Sequence, residues 1–192
     1  DYVFPSSHYS DHFADINKKV IDFDRTNEFN DWFHYNEGNT FSYREIPFAD
    51  NILIDGYFQS EKYFKHYREE IIDLFGFRQK PDNIIKGAIG LHIRRGDYVQ
   101  YSDLHPLAKP EYINRAMAYF TSRGYKHFHV VSDDVPWCIQ NIQTPMGCEL
   151  HFNPERTEFE DFIHLMNCEH GIIANSTFSW WARWLNQNPD KI

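Results

Sequence analysis

The chain has 192 residues, of which 42% are hydrophobic and 24% charged, a composition typical of a globular protein with a packed core. Its formal net charge is −9 with histidine neutral, which argues against general nucleic-acid binding because an acidic surface repels the phosphate backbone. No run of about 18 apolar residues occurs, so the sequence predicts no membrane-spanning helix.

The first fifty residues are polar, rich in aromatic side chains and weakly periodic, which predicts loops and short elements. A strand is predicted at 51–56. A helix is predicted from Ser60 to about Phe75, because Ser60 is a favoured cap and Gly76 a favoured stop. The side chains predicted to face inward from it are Phe64, Tyr67, Ile71 and Leu74.

From residue 88 onward, strand and helix patterns alternate four times. The predicted strands are 88–93, 127–132, 148–152 and 171–174, and the predicted helices are 110–123, 136–140, 158–167 and 176–186. This order predicts an α/β fold, a Rossmann-like parallel sheet with helices on both faces. Ligands of such sheets bind beyond the carboxyl ends of the strands.

Polar side chains follow three of the four predicted strands directly. They are Arg94, Arg95 and Asp97 after the first strand, Asp133 and Asp134 after the second, and Asn175, Ser176, Thr177 and Ser179 after the fourth. Because the carboxyl ends of parallel strands meet at one crevice, we expect these three clusters to lie close together.

The first and third clusters have the chemistry of a phosphate site. Guanidinium groups such as those of Arg94 and Arg95 match phosphate oxygens in bidentate pairs, and Gly96 would let the backbone turn closely around a ligand. The first turn of a helix attracts phosphate through its N–H groups and dipole. The alternatives are a surface Arg–Asp ion pair in the first cluster and simple N-capping by Ser176 or Thr177 in the third.

The second cluster is open to three interpretations. Asp133 and Asp134 could accept from a base or a ribose, bind a divalent metal ion, or cap the helix that starts near Pro136. His127 and His129 share one face of a predicted strand, but no third metal ligand is evident near them in sequence. We therefore predict no metal site.

The three cysteines form no C-x-x-C pair, which predicts reduced thiols in a cytosolic protein. Trp180, Trp181 and Trp184, in the last predicted helix, are expected in the core rather than on a sugar-binding surface.

Four segments of the chain resemble glycosyltransferase family 11, the α-1,2-fucosyltransferases. They read G-Y-F-Q-S-E-K-Y-F at 56–64, H-I-R-R-G-D-Y at 92–98, V-V-S-D-D-V-P-W-C at 130–138 and I-A-N-S-T-F-S-W-W-A-R-W-L-N at 173–186. Their order and spacing agree with the family over roughly residues 52–186. The S-T-F-S-W-W element is similar to the α-1,2 group in particular.

The resemblance implies a GT-B enzyme with two Rossmann-like halves that is inverting and metal-independent, uses GDP-β-L-fucose as donor and needs no other cofactor. Arg94 would contact the pyrophosphate with Arg95 close by, and Asp97 would be the candidate base. His92 and one of Asp133 or Asp134 would lie near the guanosine. The residues implied to surround the β-phosphate are Asn175, Ser176, Thr177, Phe178 and Ser179.

The resemblance also implies a domain organisation and partners. Residues 1–85 would form the C-terminal part of the acceptor-side half, and residues 86–192 a GDP-fucose-binding domain that is incomplete at its C-terminus. A Gly-rich G-G-L-G-N-Q-type loop, with which the family begins, does not occur in the chain, so we expect a fragment of a longer protein. The implied partners are GDP-fucose and a β-galactoside-terminated glycan, with no nucleic acid.

The implied location is cytoplasmic, with peripheral association at the inner face of the bacterial membrane. The alternatives are an α-1,6- or protein O-fucosyltransferase, and a non-catalytic fragment that binds a GDP-sugar or a glycan.

Overall fold

The computed structural model describes residues 31–38, 42–77 and 81–192. The chain divides into two compact units, with the boundary between residues 78 and 79. Whatever was predicted for residues 1–30 and 39–41 lies outside the described residues. Within the described ranges, no helix combines the length and the apolar character that crossing a membrane requires.

The first unit contains a two-stranded parallel sheet. Strand β1 (Phe33–Asn36) pairs with strand β2 (Ile52–Asp55), in agreement with the strand predicted at 51–56. The Asn36 side-chain amide donates to a carboxylate oxygen of Asp55 at 2.6 Å and joins the ends of the two strands.

The helical segment that follows β2 is broken, so the prediction of one continuous helix from Ser60 is wrong. It consists of two 3₁₀ turns, Glu61–Tyr63 and Lys65–Tyr67, and helix α1 (Arg68–Leu74). The break falls at Phe64, whose φ of −139° departs from helical values. The predicted cap is present, since the Ser60 side chain accepts from the Lys62 N–H at 3.4 Å. The predicted inward face is wrong in part, since Phe64 and Ile71 are half-buried but Tyr67 and Leu74 are not. Ile72 is buried, whereas Tyr67 is 57% exposed and Leu74 is 42% exposed.

The second unit has the predicted α/β fold. Its elements after a 3₁₀ turn at Pro81–Asn83 are β3 (Ile85–Ile93), a 3₁₀ turn at Gly96–Val99, α2 (Pro110–Thr121), β4 (His127–Ser132), α3 (Val135–Asn141), β5 (Glu149–Phe152), α4 (Glu158–Asn167), β6 (Cys168–Ile172) and α5 (Thr177–Leu185). The sheet order is β5-β4-β3-β6 and every neighbouring pair is parallel. The fold class expected from the alternation of strand and helix is therefore confirmed.

Helices pack on both faces of this sheet. On one face, the core joins Ile89 and Leu91 of β3 to Ile113 and Met117 of α2. On the other face, a Cβ placed on Gly90 would come within 3.0 Å of the Leu165 side chain of α4. This close approach of strand and helix leaves no room for a side chain at position 90.

Strand β3 lies at the point where the direction of the chain through the sheet reverses. The chain moves from β3 outward to β4 and β5, and then crosses back to place β6 on the opposite side of β3. Ligands of open α/β sheets bind beyond the carboxyl ends of the strands at such a switch point. The fold therefore points to the region just after β3 and β6.

Strand β6 begins directly after α4, three residues earlier than predicted. The side chains of Arg183 and Asn186 make this abrupt change of direction feasible. Arg183 donates to the carbonyl oxygens of Leu165 at 3.0 Å and of Cys168 at 2.7 Å. Asn186 donates to the Met166 carbonyl oxygen at 2.6 Å. The last carbonyl groups of α4, which a helix leaves unsatisfied, thus find partners from α5 and the residue that follows it.

Candidate functional site

Arg94 is the first residue after β3, and two carboxylates hold its guanidinium group. One terminal nitrogen lies 2.7 Å from an oxygen of Asp133, and the other lies 2.6 Å from an oxygen of Asp97. The Tyr98 ring lies beside it, with its centroid 5.4 Å from the guanidinium carbon. The side chain remains 34% exposed, so a permanent positive charge is fixed at the edge of the sheet while staying accessible to solvent.

Asp133 links the loops that follow β3 and β4. Besides its contact with Arg94, it accepts from the backbone N–H of Arg95 at 2.8 Å. A Cβ at Gly96 would lie 2.5 Å from the Asp133 carboxylate. The glycine is therefore needed to make room for this carboxylate, an intramolecular reason that differs from the close ligand approach suggested by the sequence.

Arg95 points toward helix α3. Its Nε donates to an oxygen of Asp134 at 2.9 Å, and its guanidinium carbon lies 3.8 Å from the centroid of the Trp137 ring. The other Asp134 oxygen accepts from the Trp137 N–H at 3.1 Å and caps α3. The hydrogen bond from Arg95 holds the pKa of Asp134 below its usual value. Of the three interpretations of Asp134, the structure thus shows the helix cap.

The start of α5 presents backbone N–H groups without a side-chain cap. Ser176 occupies the N-cap position with extended backbone, but its side chain makes no capping hydrogen bond. Thr177 is exposed, whereas Ser179 is 1% exposed and its hydroxyl lies 3.4 Å from the carbonyl oxygens of Ala174 and Ser176. Simple N-capping by Ser176 is therefore not what the structure shows, and the first turn retains its attraction for an anion.

Direct contacts join the first cluster to the third. The Tyr98 hydroxyl donates to the Asn175 carbonyl oxygen at 3.3 Å, and the Tyr112 hydroxyl donates to the Ile173 carbonyl oxygen at 2.8 Å. The loop after β3 and the loop before α5 therefore share one crevice. Neither tyrosine was predicted as a site residue, although Tyr98 lies within the H-I-R-R-G-D-Y segment.

His92, the second-last residue of β3, lies next to this crevice. It is 6% exposed, its ring centroid is 5.2 Å from that of Phe178, and its Nδ1 has no hydrogen-bond partner among the described residues. Burial, with a smaller contribution from Arg94, lowers the pKa of His92 to about 4. The imidazole is therefore neutral at pH 7, with one ring nitrogen ready to bond a polar group.

We predict that His92 makes the fold sensitive to acid. Its folded pKa of about 4 lies below the unfolded value near 6.5, so between these values the unfolded chain binds a proton that the folded chain excludes. The contribution is nil above pH 6.5, and by pH 4 it lowers the free energy of unfolding by about 3 kcal/mol.

Urea unfolding between pH 7.5 and 4 should show this loss of stability. In His92→Leu, the number of protons taken up on unfolding should be smaller by about one per molecule. The exposed His66→Leu variant serves as control and should keep the full dependence. His129 and His164, whose pKa values burial also lowers to about 4, account for acid sensitivity that remains in His92→Leu. An unchanged pH dependence in His92→Leu would contradict the assignment.

The sequence model described as Glycosyl transferase family 11 matches residues 9–190. Galactoside 2-alpha-L-fucosyltransferase SEC1 of Bos taurus is 30% identical over 177 residues, which cover 80% of this chain and 47% of that protein. An alpha-1,2-colitosyltransferase of Escherichia coli is 31% identical over 144 residues, or 68% of this chain and 50% of that protein. The O-antigen biosynthesis glycosyltransferase WbnK of Escherichia coli is 31% identical over 167 residues, which cover 77% of this chain and 55% of that protein.

A solved structure of POFUT1 in complex with GDP aligns with 71% of this chain and 51% of its own. The TM-score is 0.44 and the sequence identity is 16%, and a likeness at this level supports no conclusion about the site.

The resemblance seen in the four sequence segments is thus confirmed by a match over almost the whole chain. The chain spans about half the length of the curated relatives it matches. It belongs to glycosyl transferase family 11.

Proposed function

We propose that the protein transfers L-fucose from GDP-β-L-fucose to the 2-hydroxyl of a β-galactoside in a glycan, with inversion and without a metal ion. Family membership supports this, as do relatives named galactoside α-1,2-fucosyltransferases. The observation that carries the proposal is the joining of Arg94 to the start of α5 through the hydrogen bond from Tyr98 to Asn175. A fixed cation and a helix N-terminus then face one crevice, which suits a diphosphate.

The two carboxylates on Arg94 have different parts in this proposal. Asp133 also accepts from the Arg95 N–H, whereas the Asp97 carboxylate contacts only Arg94 among the described residues and is 57% exposed. A diphosphate that binds Arg94 therefore displaces Asp97 and leaves Asp133 in place. Asp97, predicted as a base from the resemblance, is then released toward solvent beside the donor, where it is available to receive the proton of the acceptor hydroxyl.

The donor nucleoside is assigned to the neighbourhood of His92. Its Nδ1, which is buried beside Phe178 and has no partner among the described residues, is a hydrogen-bonding atom open to a ligand. The other candidates for guanosine are already engaged within the protein: Asp133 contacts Arg94 and the Arg95 N–H, and Asp134 accepts from Arg95 and from the backbone of α3. We therefore place Asp134 and Arg95 as positioning residues, which fix the loop that carries Arg94.

Leaving-group stabilisation supplies the rate enhancement in this mechanism. As the bond between fucose and GDP breaks, negative charge grows on the β-phosphate. Arg94 and the N–H groups of Thr177, Phe178 and Ser179 are fixed in advance by the fold, so they stabilise that charge without reorganising.

The test is incubation of the protein with GDP-fucose and a lactose-type acceptor in the presence of EDTA, followed by linkage analysis of the product. Fucose linked α-1,2 to galactose is expected, and EDTA should leave the rate unchanged. An α-1,6 linkage or a fucosylated peptide would replace the proposal with one of its alternatives. In a parallel titration, the chain should bind GDP more tightly than UDP, whereas a lectin-like fragment would bind neither.

The transfer assay should also be run with activated colitose as donor, because one relative, 31% identical to this chain, is named a colitosyltransferase. The fucosyltransferase relatives and this colitosyltransferase are all named for α-1,2 transfer, so the same kind of site could take either sugar. If activated colitose were transferred and GDP-fucose were not, the donor assignment would be wrong while the phosphate site would stand. The cytoplasmic location and the peripheral membrane association stay predictions.

A further inference from the structure

Two histidines and a glutamate converge at the end of the sheet opposite the crevice. His127 is the first residue of β4 and Glu149 is the first residue of β5, with His151 two residues further along β5. The five residue steps of β4 that separate His127 from Ser132 correspond to about 16 Å. This cluster, which we call the HHE cluster (His127, Glu149, His151), is therefore remote from the donor site of the proposed function.

The two imidazole nitrogens of the HHE cluster lie at hydrogen-bond distance, whereas the two contacts of the Glu149 carboxylate fit a shared ion better than hydrogen bonds. His127 Nδ1 lies 3.1 Å from His151 Nε2, and the Glu149 carboxylate lies 3.6 Å from the former and 3.7 Å from the latter. Contacts of 3.6 Å and more are too long for hydrogen bonds. An ion near the centre of this triangle would lie about 2 Å from each atom, the length of zinc bonds to imidazole nitrogen and carboxylate oxygen.

Strand register, rather than flexible loops, sets this geometry. In the parallel pairing, His127 is opposite Glu149 and His129 is opposite His151. Side chains at alternate positions share a face, so all four project to the same side of the sheet. The His129 ring lies 4.7 Å from the His151 ring, and His129 Nδ1 lies 2.9 Å from His164 Nε2 of α4. His151 thus contacts the rings of both His127 and His129.

We propose that the HHE cluster is a binding site for a divalent transition-metal ion of the zinc class. Two imidazole nitrogens and one carboxylate oxygen suit Zn²⁺, Ni²⁺ and Cu²⁺, whereas Mg²⁺ and Ca²⁺ prefer oxygen ligands alone. The three side chains are exposed or half-exposed, so an ion can enter, and solvent supplies a fourth ligand. The Arg156 charge, which reaches this face, is paired with Asp161 at 2.6 Å.

Metal binding here would act on the edge of the sheet. Strand β5 has four residues and, among the described strands, pairs only with β4. An ion held by His127 from β4 and by Glu149 and His151 from β5 would cross-link the two strands. The ion would stabilise the fold and take no part in sugar transfer, because the proposed donor site lies at the other end of β4.

The proposal is tested by titrating the metal-free full chain with Zn²⁺ at pH 7.5 in a calorimeter. Thermal unfolding of the same protein is measured with and without Zn²⁺. Saturable binding is expected, with a rise in Tm of about 5–10 °C at 100 times the dissociation constant. His127→Ala, His151→Ala and Glu149→Gln should each weaken this binding by more than about tenfold, since even outer-shell ligand changes cost that much. Mg²⁺ should produce no shift.

The matched control is His66→Ala, which removes an exposed histidine outside the HHE cluster and should bind like the parent chain. Should an alanine variant fail to fold, the milder His127→Gln and His151→Gln changes provide the same comparison. Absence of saturable Zn²⁺ binding would overturn the proposal, and so would equal binding by the parent chain and all the cluster variants. Fucose transfer in EDTA is a separate readout. A failure of Zn²⁺ binding at the HHE cluster therefore does not imply a failure of fucose transfer, and the reverse also holds.

Discussion

Alanine at position 94 is expected to lower the turnover of fucose transfer about 100- to 1,000-fold, the effect of removing one fixed donor to a developing anion. The Arg94 guanidinium lies at the carboxyl end of β3 and, through Tyr98, shares a crevice with the start of α5. In the proposed mechanism, charge on the departing GDP grows toward the transition state, so kcat should fall more than donor affinity. Steady-state kinetics with GDP-fucose and a lactose-type acceptor measure both.

Two variants make the comparison specific to Arg94. Arg94→Lys keeps the charge but loses the bidentate geometry, so its turnover should fall between those of the parent and the alanine variant. Arg123→Ala removes an exposed guanidinium that packs on Tyr119 at the end of α2, and transfer should be unaffected. Near-normal turnover in Arg94→Ala would show that the phosphate site has been placed wrongly.

Replacement of Arg183 by leucine is expected to lower the free energy of unfolding by about 3–5 kcal/mol. Arg183 is 9% exposed and remains charged at neutral pH, although burial lowers its pKa to about 10. Its terminal nitrogens donate to the carbonyl oxygens of Leu165, Cys168 and Glu169, which lie where α4 gives way to β6. Leucine would leave buried carbonyl groups without these donors, and urea unfolding at pH 7 measures the loss.

The neighbouring glycine provides an independent check of this packing. A Cβ at Gly171 would lie 2.6 Å from the Arg183 side chain, so Gly171→Ala should also destabilise the fold by displacing the guanidinium. Arg123→Leu, a surface change of the same chemical type, should stay within about 0.5 kcal/mol of the parent. If Arg183→Leu unfolded at the same urea concentration as Arg123→Leu, the hydrogen bonds to α4 would contribute nothing to stability.

Local sequence signals were sufficient where an element starts and stops by its own chemistry. Strand β4 and helix α4 have the predicted bounds, and α2 begins at Pro110 as expected. For α4, Thr157 and Glu160 form a capping box that fixes the first turn. The same signals placed Arg94 and Ser176 after strands, and a parallel sheet brings such positions to one edge.

Contacts between distant residues decided the rest. The amino-acid sequence by itself determined the α/β fold, the family and the three polar clusters, because these depend on periodicity and on short motifs. Only the tertiary structure decided that Asp134 binds Arg95, that Arg183 donates to carbonyl groups at the end of α4, and that His127 meets Glu149 and His151. Each of these depends on strand register or helix packing between residues 15 to 39 positions apart, and local pattern carries no information on such pairings.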